Sequence, residues 1–279
     1  VNLSPSAATL LFSWRFDPLV WGVALVLVGV YFVQFARVRR SPQRAAWPIW
    51  RAACFGLGAL IALLALQSSA SSYTLNSMAL YMGRLMLLAE LAPPLLMLGL
   101  PAPLLARRAP RRPLGSALRF LLDPFVAFAL WATIIVFWNL PIGLNASLVS
   151  ATAATLLPAL YLLGGTLLWA VALNAVPTLN RLSVGGRGVF GFVSSLPMMG
   201  VAAVWLYSPS VLYSPYVNVP CLWNLTPLQN QQISGLVMLM AGMPALALAL
   251  VQLMAWVIKL SEGPGVTPDD ADPARTTGD

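Results

Sequence analysis

The amino-acid sequence predicts an all-α integral membrane protein of seven transmembrane helices, with the N-terminus outside and the C-terminus cytoplasmic. Three observations carry this. The 279 residues are 59% hydrophobic and only 9% charged, with a mean hydropathy of +0.81, against roughly 25% charged residues in an ordinary soluble domain. Seven apolar segments approach or exceed the roughly 20 residues needed to cross the hydrocarbon core. The basic residues fall in every second connection.

In chain order the spans are expected at about 18–36, 50–70, 75–100, 124–140, 150–173, 189–207 and 229–258. The first and fourth open on Asp17-Pro18 and Asp123-Pro124. In each, the Asp caps the helix and the Pro takes the first helical position, where its missing N–H costs nothing. The likeness of DPLV to DPFV reads as two ordinary helix starts rather than an internal repeat. The third and seventh segments are long enough to tilt.

Arg37, Arg39, Arg40, Arg44 and Arg51 follow the first span, Arg107, Arg108, Arg111, Arg112 and Arg119 the third, and Arg181 and Arg187 the fifth, while Lys259 and Arg275 close the chain. The intervening loops 71–74, 141–149 and 208–228 hold no Lys or Arg. Basic loops stay on the cytoplasmic side, which sets the orientation. The domain plan is an N-terminal periplasmic segment 1–17 containing Arg15, a membrane domain 18–260, and a disordered cytoplasmic tail 261–279 rich in Pro, Gly and Asp. The uncharged start and span-length first segment predict no signal peptide. Val1, read as a translated alternative start codon, points to a bacterial source.

Much chemistry is excluded. The chain has no histidine, which removes haem ligation by histidine pairs, histidine-based copper or zinc sites and a histidine proton relay. Cys54 and Cys221 belong near opposite faces and form no CxxC pair. No P-loop, GxSxG or paired carboxylates occur, so no catalytic residue is assigned and the chain is read as a non-enzyme. Of 16 Lys plus Arg, all but Lys259 are arginines scattered between apolar segments, a topological signal rather than a nucleic-acid surface.

The candidate functional residues concentrate in NSMALYMGRLMLLAELAPPLL, residues 76–96. Met78, Met82 and Met86 fall within about 80° of one helix surface. Thioethers suit Cu(I), and Met198, Met199, Met238, Met240 and Met243 could add to such a site, although methionine is also an ordinary space-filler in apolar helices. Arg84 and Glu90 are the two deep ionisable groups. They sit about 120° apart around the helix, too far round for a direct pair, so each must face protein, water or a cavity. Arg84, beside Tyr81, is expected to bond backbone carbonyls, Asn139 or Gln232, or to contact a partner subunit together with Glu90. Glu90 alternatively reaches the cytoplasmic interface. Tyr207, Tyr213, Tyr216 and Trp223 in the loop SPSVLYSPYVNVPCLWNLTP and at its edge predict an interfacial aromatic belt or a docking surface.

Several stretches in order, RAACFGLGALIALLAL, APPLLMLGLP, FWNLP, RLS with LPMMG and LYSP, and TPLQNQQISGLVMLM, resemble the CtaG family of cytochrome c oxidase assembly factors. These are seven-span membrane proteins implicated in building the copper centre of haem-copper oxidases. The last stretch is the most specific. Where the family carries histidines in its third span this chain reads Tyr81, Met82 and Leu85. The tryptophan-histidine-leucine-proline stretch closing the fourth has become Trp138, Asn139, Leu140 and Pro141, and residues 150–158 read SATAATLLP without the family's histidines.

The resemblance implies a bacterial inner-membrane scaffold that has lost its metal site and needs no cofactor. It would act with haem-copper oxidase subunits in the lipid bilayer, as an assembly factor or a retained accessory subunit. The alternatives are Cu(I) handling through Met78, Met82 and Met86, and an anion transporter using Arg84.

Overall fold

A computed structural model describes residues 16–102, 112–179 and 182–262. The predicted N-terminal segment and tail lie almost wholly outside these residues, as do Arg15, Arg107, Arg108, Arg111, Arg181 and Arg275. The described chain is helical, with no β-strand among the described residues. Among the described residues six helical stretches are long and apolar enough to cross a membrane: α1 (Pro18–Arg39), α2 (Ile49–Gln67), the compound third stretch Met78–Gly99, α8 (Ala151–Ala172), α9 (Val184–Tyr207) and α10 (Pro227–Ser261).

The predicted fourth span is shorter. α6 (Pro124–Asn139) has 16 residues, and it reaches span length only together with Gly115–Leu121 of α5 (Arg112–Leu121), from which it is bent by 63°. A seventh helix, α7 (Pro141–Val149), follows at once, because Leu140 turns extended before Pro141 and Ser150 does so before α8.

Local chemistry sets most boundaries. Asp17 and Asp123 accept hydrogen bonds from the N–H groups of Leu19 and Val20 and of Phe125 and Val126, as expected of N-caps that precede Pro. α10 starts with a capping box in which Thr226 accepts from Gln229 N–H and the Gln229 side chain accepts from Thr226 N–H.

The third stretch is not a uniform helix. It divides into α3 (Met78–Met86), a π-helical turn at Leu87–Leu91 and α4 (Ala92–Gly99). Pro93 and Pro94 lack the N–H groups that would bond the Ala89 and Glu90 carbonyls, and the backbone widens by one residue per turn just before them.

Small residues let the helices approach. A Cβ at Gly165 of α8 would lie 2.2 Å from the Ala89 carbonyl oxygen. Along the α9–α10 seam, a Cβ at Gly235 would lie 2.8 Å from the Ala202 oxygen. Close backbone contact through small residues is the main way membrane helices associate, since lipid gives them no hydrophobic drive.

α1 stands apart, with Tyr31 its one buried residue. It is fixed near its ends. Asp17 N–H donates to Gln67 Oε1 (3.0 Å). Tyr31 stacks on Phe55 with ring centroids 3.6 Å apart, and its hydroxyl donates to the Gly99 carbonyl (2.7 Å). Trp47 Nε1 also donates to Gly99, and Arg51 donates to the Leu98 and Leu100 carbonyls. These bonds satisfy carbonyls that the last turn of α4 leaves without helical donors. Arg51, read from sequence as a topological charge, therefore also caps a neighbouring helix.

Replacing Gly165 by Ala should lower thermal stability in detergent by about 1–3 kcal/mol, because the methyl meets backbone rather than a movable side chain. Gly200→Ala, at a position with nothing within 4 Å of the added atom, should leave the unfolding midpoint unchanged or raise it slightly.

Candidate functional site

The positions at which the resemblance places histidines converge at the Arg-poor end of the bundle. Tyr81, Leu85 and Asn139 are all buried. Tyr81 Oη donates to Ser147 Oγ (3.0 Å), which donates in turn to the Leu144 carbonyl (2.7 Å). Asn139, the last residue of α6, donates through Nδ2 to Tyr161 Oη (2.8 Å) and to the Ile135 carbonyl (2.6 Å).

The loop after α9 closes this cluster. Tyr213 Oη donates to the Asn139 carbonyl (2.5 Å) and accepts from Trp205 Nε1 (2.6 Å). Burial raises the Tyr213 phenol far above its ordinary range, against the smaller opposing effect of the Trp205 bond, so the hydroxyl remains a proton donor. Tyr216 Oη reaches the Thr74 carbonyl (2.7 Å). Tyr213 and Tyr216, read from sequence as part of an aromatic belt, thus fold inward. Tyr207 and Trp223 remain exposed.

The TPLQNQQISG motif holds this arrangement. Asn230 Oδ1 accepts from Ala79 N–H at the start of α3 (3.1 Å), and its Nδ2 donates to Cys221 Sγ (3.5 Å). Gln231 accepts from Leu212 N–H (2.8 Å) and donates to the Ser210 carbonyl (3.3 Å). Gln232 donates to the Leu206 carbonyl (3.4 Å), so neither Gln232 nor Asn139 is seen bonding Arg84.

Arg84 Nε instead donates to the Ala65 carbonyl (2.7 Å). Ala65 lies in the last turn of α2, where carbonyls lack helical donors and the helix dipole favours a cation. Glu90 lies in the π turn, 3% exposed, and Oε2 accepts from Trp169 Nε1 of α8 (3.2 Å). The carboxylate faces protein, not an interface. Tyr161, Gly165 and Trp169 are four residues apart on one face of α8. That spacing was the available signal for two residues that sequence reasoning did not single out, Tyr161 and Trp169.

Met78, Met82 and Met86 are 1%, 0% and 3% exposed and belong to the main apolar core. Their shared face is packing surface. Met198, Met199, Met238 and Met243 line a separate cavity of about 30 Å³ between α9 and α10. Cys54 and Cys221 are free thiols.

The groups at Tyr81, Leu85 and Asn139 do not fit copper. They are a phenol bonded to Ser147, a leucine, and an amide whose NH₂ group is engaged, whereas Cu(I) takes soft sulfur or imidazole ligands. Among the described residues no group of three His, Cys, Asp or Glu is placed to hold a metal ion.

Fold and site together define a multi-span helical membrane protein whose buried polar groups bond chiefly to one another. The chain belongs to the cytochrome c oxidase caa3 assembly factor family, Caa3_CtaG, whose sequence model matches residues 29–259. No curated protein and no solved structure matches the chain.

Tyr213→Phe removes a donor and an acceptor at once and should lower stability by about 1–3 kcal/mol, read by thermal unfolding in detergent. Tyr81→Phe leaves Ser147 bonded to Leu144 and should cost less, about 0.5–1.5 kcal/mol. The reverse order would show that the cluster is not closed by the loop.

Proposed function

We propose that the chain acts with a haem-copper cytochrome c oxidase through protein contact, without enzymatic activity and without a metal of its own, as an assembly factor or a retained accessory subunit. Family membership supports the oxidase as partner. The observation that carries the protein-contact reading is the bonding of Tyr81 to Ser147 and of Asn139 to Tyr161. Side chains standing where related proteins hold histidines are turned onto one another rather than into an open ligand site.

In this reading the protein resides in a bacterial inner membrane, with the Arg-rich end of the bundle cytoplasmic. Arg84 supplies a fixed positive charge at the end of α2, and the apolar faces of α1 and α10 are available to lipid and to oxidase subunits.

Tagged protein purified in mild detergent should bring down oxidase subunits with their haem, and a deletion strain should contain less assembled oxidase. Recovery of the chain alone, with normal oxidase in the deletion strain, would sink the proposal.

A second reading, Cu(I) handling through thioethers, draws on the four methionines around the small cavity between α9 and α10. It predicts about one Cu(I) per purified chain under reducing conditions. Loss of that copper on changing Met198 and Met238 to Leu would place it at this cavity, and loss on changing Met78, Met82 and Met86 would place it in the core. Copper at background in the parent protein excludes both.

A further inference from the structure

The stand-off of α1 leaves a cleft of about 1150 Å³ between this helix and α2, α4 and α8. It is lined nearly along the whole of α1, from Leu19 at the Arg-poor end to Gln43 beyond the Arg-rich end. Its middle is hydrocarbon-like, walled by Leu27, Val30, Leu63 and Leu96.

The Arg-rich end differs. Gln34, Arg37, Ser41 and Gln43 line it, and Arg39, Arg40 and Arg44 are exposed close by in sequence. Among the described residues no Asp or Glu lines the cleft. The side chains of Gln34, Arg37 and Gln43 make no hydrogen bond or ion pair with other described residues. Tyr31 and Trp47 at the same level are engaged with Gly99. The cleft therefore pairs a long apolar trough with a cation and amide groups at one end.

We propose that this cleft binds an anionic diacyl phospholipid from the surrounding bilayer. The phosphate sits at Arg37, Gln34 and Gln43, and the acyl chains run past Val30 and Leu27 against Leu63. Basic pockets between transmembrane helices recognise anionic headgroups in this way. The trough is narrow, irregular and continuous along α1, a shape that flexible acyl chains fill. Charge selects the headgroup, because a zwitterionic lipid would leave Arg37 opposed by its own ammonium group.

The full chain is tested in nanodiscs of equal phosphatidylglycerol and phosphatidylcholine, released into mild detergent and weighed by native mass spectrometry. One phosphatidylglycerol should remain per chain, preferred over phosphatidylcholine. Arg37→Gln should reduce that preference about fivefold, while Arg119→Gln, which removes the same charge from the exposed surface of α5, should not. Ala24→Trp places an indole in the trough of a helix that is scarcely buried, and should lower the bound fraction of both lipids without loss of folded protein.

Equal retention of the two lipids by the parent chain would overturn the proposal. So would equal losses in Arg37→Gln and Arg119→Gln, or an unchanged lipid count in Ala24→Trp.

Discussion

Inside a hydrocarbon slab a polar group has no water to turn to, and each one left unpaired costs several kcal/mol. The rest of this structure depends on that constraint. It is met by hydrogen bonds across large sequence separations: Asn230 to the first turn of α3, Arg84 to the last turn of α2, Trp169 to Glu90, and Tyr213 to the end of α6. Each joins a helix terminus or an irregular turn to a side chain from another element. The bundle is held mostly where its helices begin, end or break, and between those points small residues and apolar packing are joined by the bond from Trp131 Nε1 in mid-α6 to the Ser194 carbonyl in mid-α9.

The same constraint acts on the cluster at the Arg-poor end of the bundle. Tyr81 and Asn139 are buried polar side chains that find partners in Ser147 and Tyr161, and Leu85, one turn from Tyr81, brings no polar atom to the cluster. The Asn139 Oδ1 atom is the exception, buried without a hydrogen-bond partner. The two bonds tie α3 to α7 and α6 to α8 at one end of the bundle.

What could be read in advance followed the range of the interactions. Asp17 and Asp123 cap helices two or three residues away, and Thr226 and Gln229 form a box within one turn, so these boundaries were legible in the sequence. The apolar runs and the Arg-free loops were legible for the same reason. The burial of Glu90 was not, because Trp169 lies 79 residues away in sequence. Tyr213 looked like a belt residue since nothing local distinguishes a tyrosine at the interface from one that turns back to Asn139. The division of the third span was half legible: Pro93 and Pro94 announced a disturbance, but not that it takes the form of a π turn packed closely against Gly165 of another helix.

The sparse attachment of α1 has a consequence for how the chain is made. Its upper anchor, Gln67, ends the second span, and its lower anchor, the Gly99 carbonyl, ends the third. α1 therefore has neither anchor until the two spans after it have followed. During synthesis it must wait in the bilayer unattached to them, which a helix greasy on every side is well suited to do.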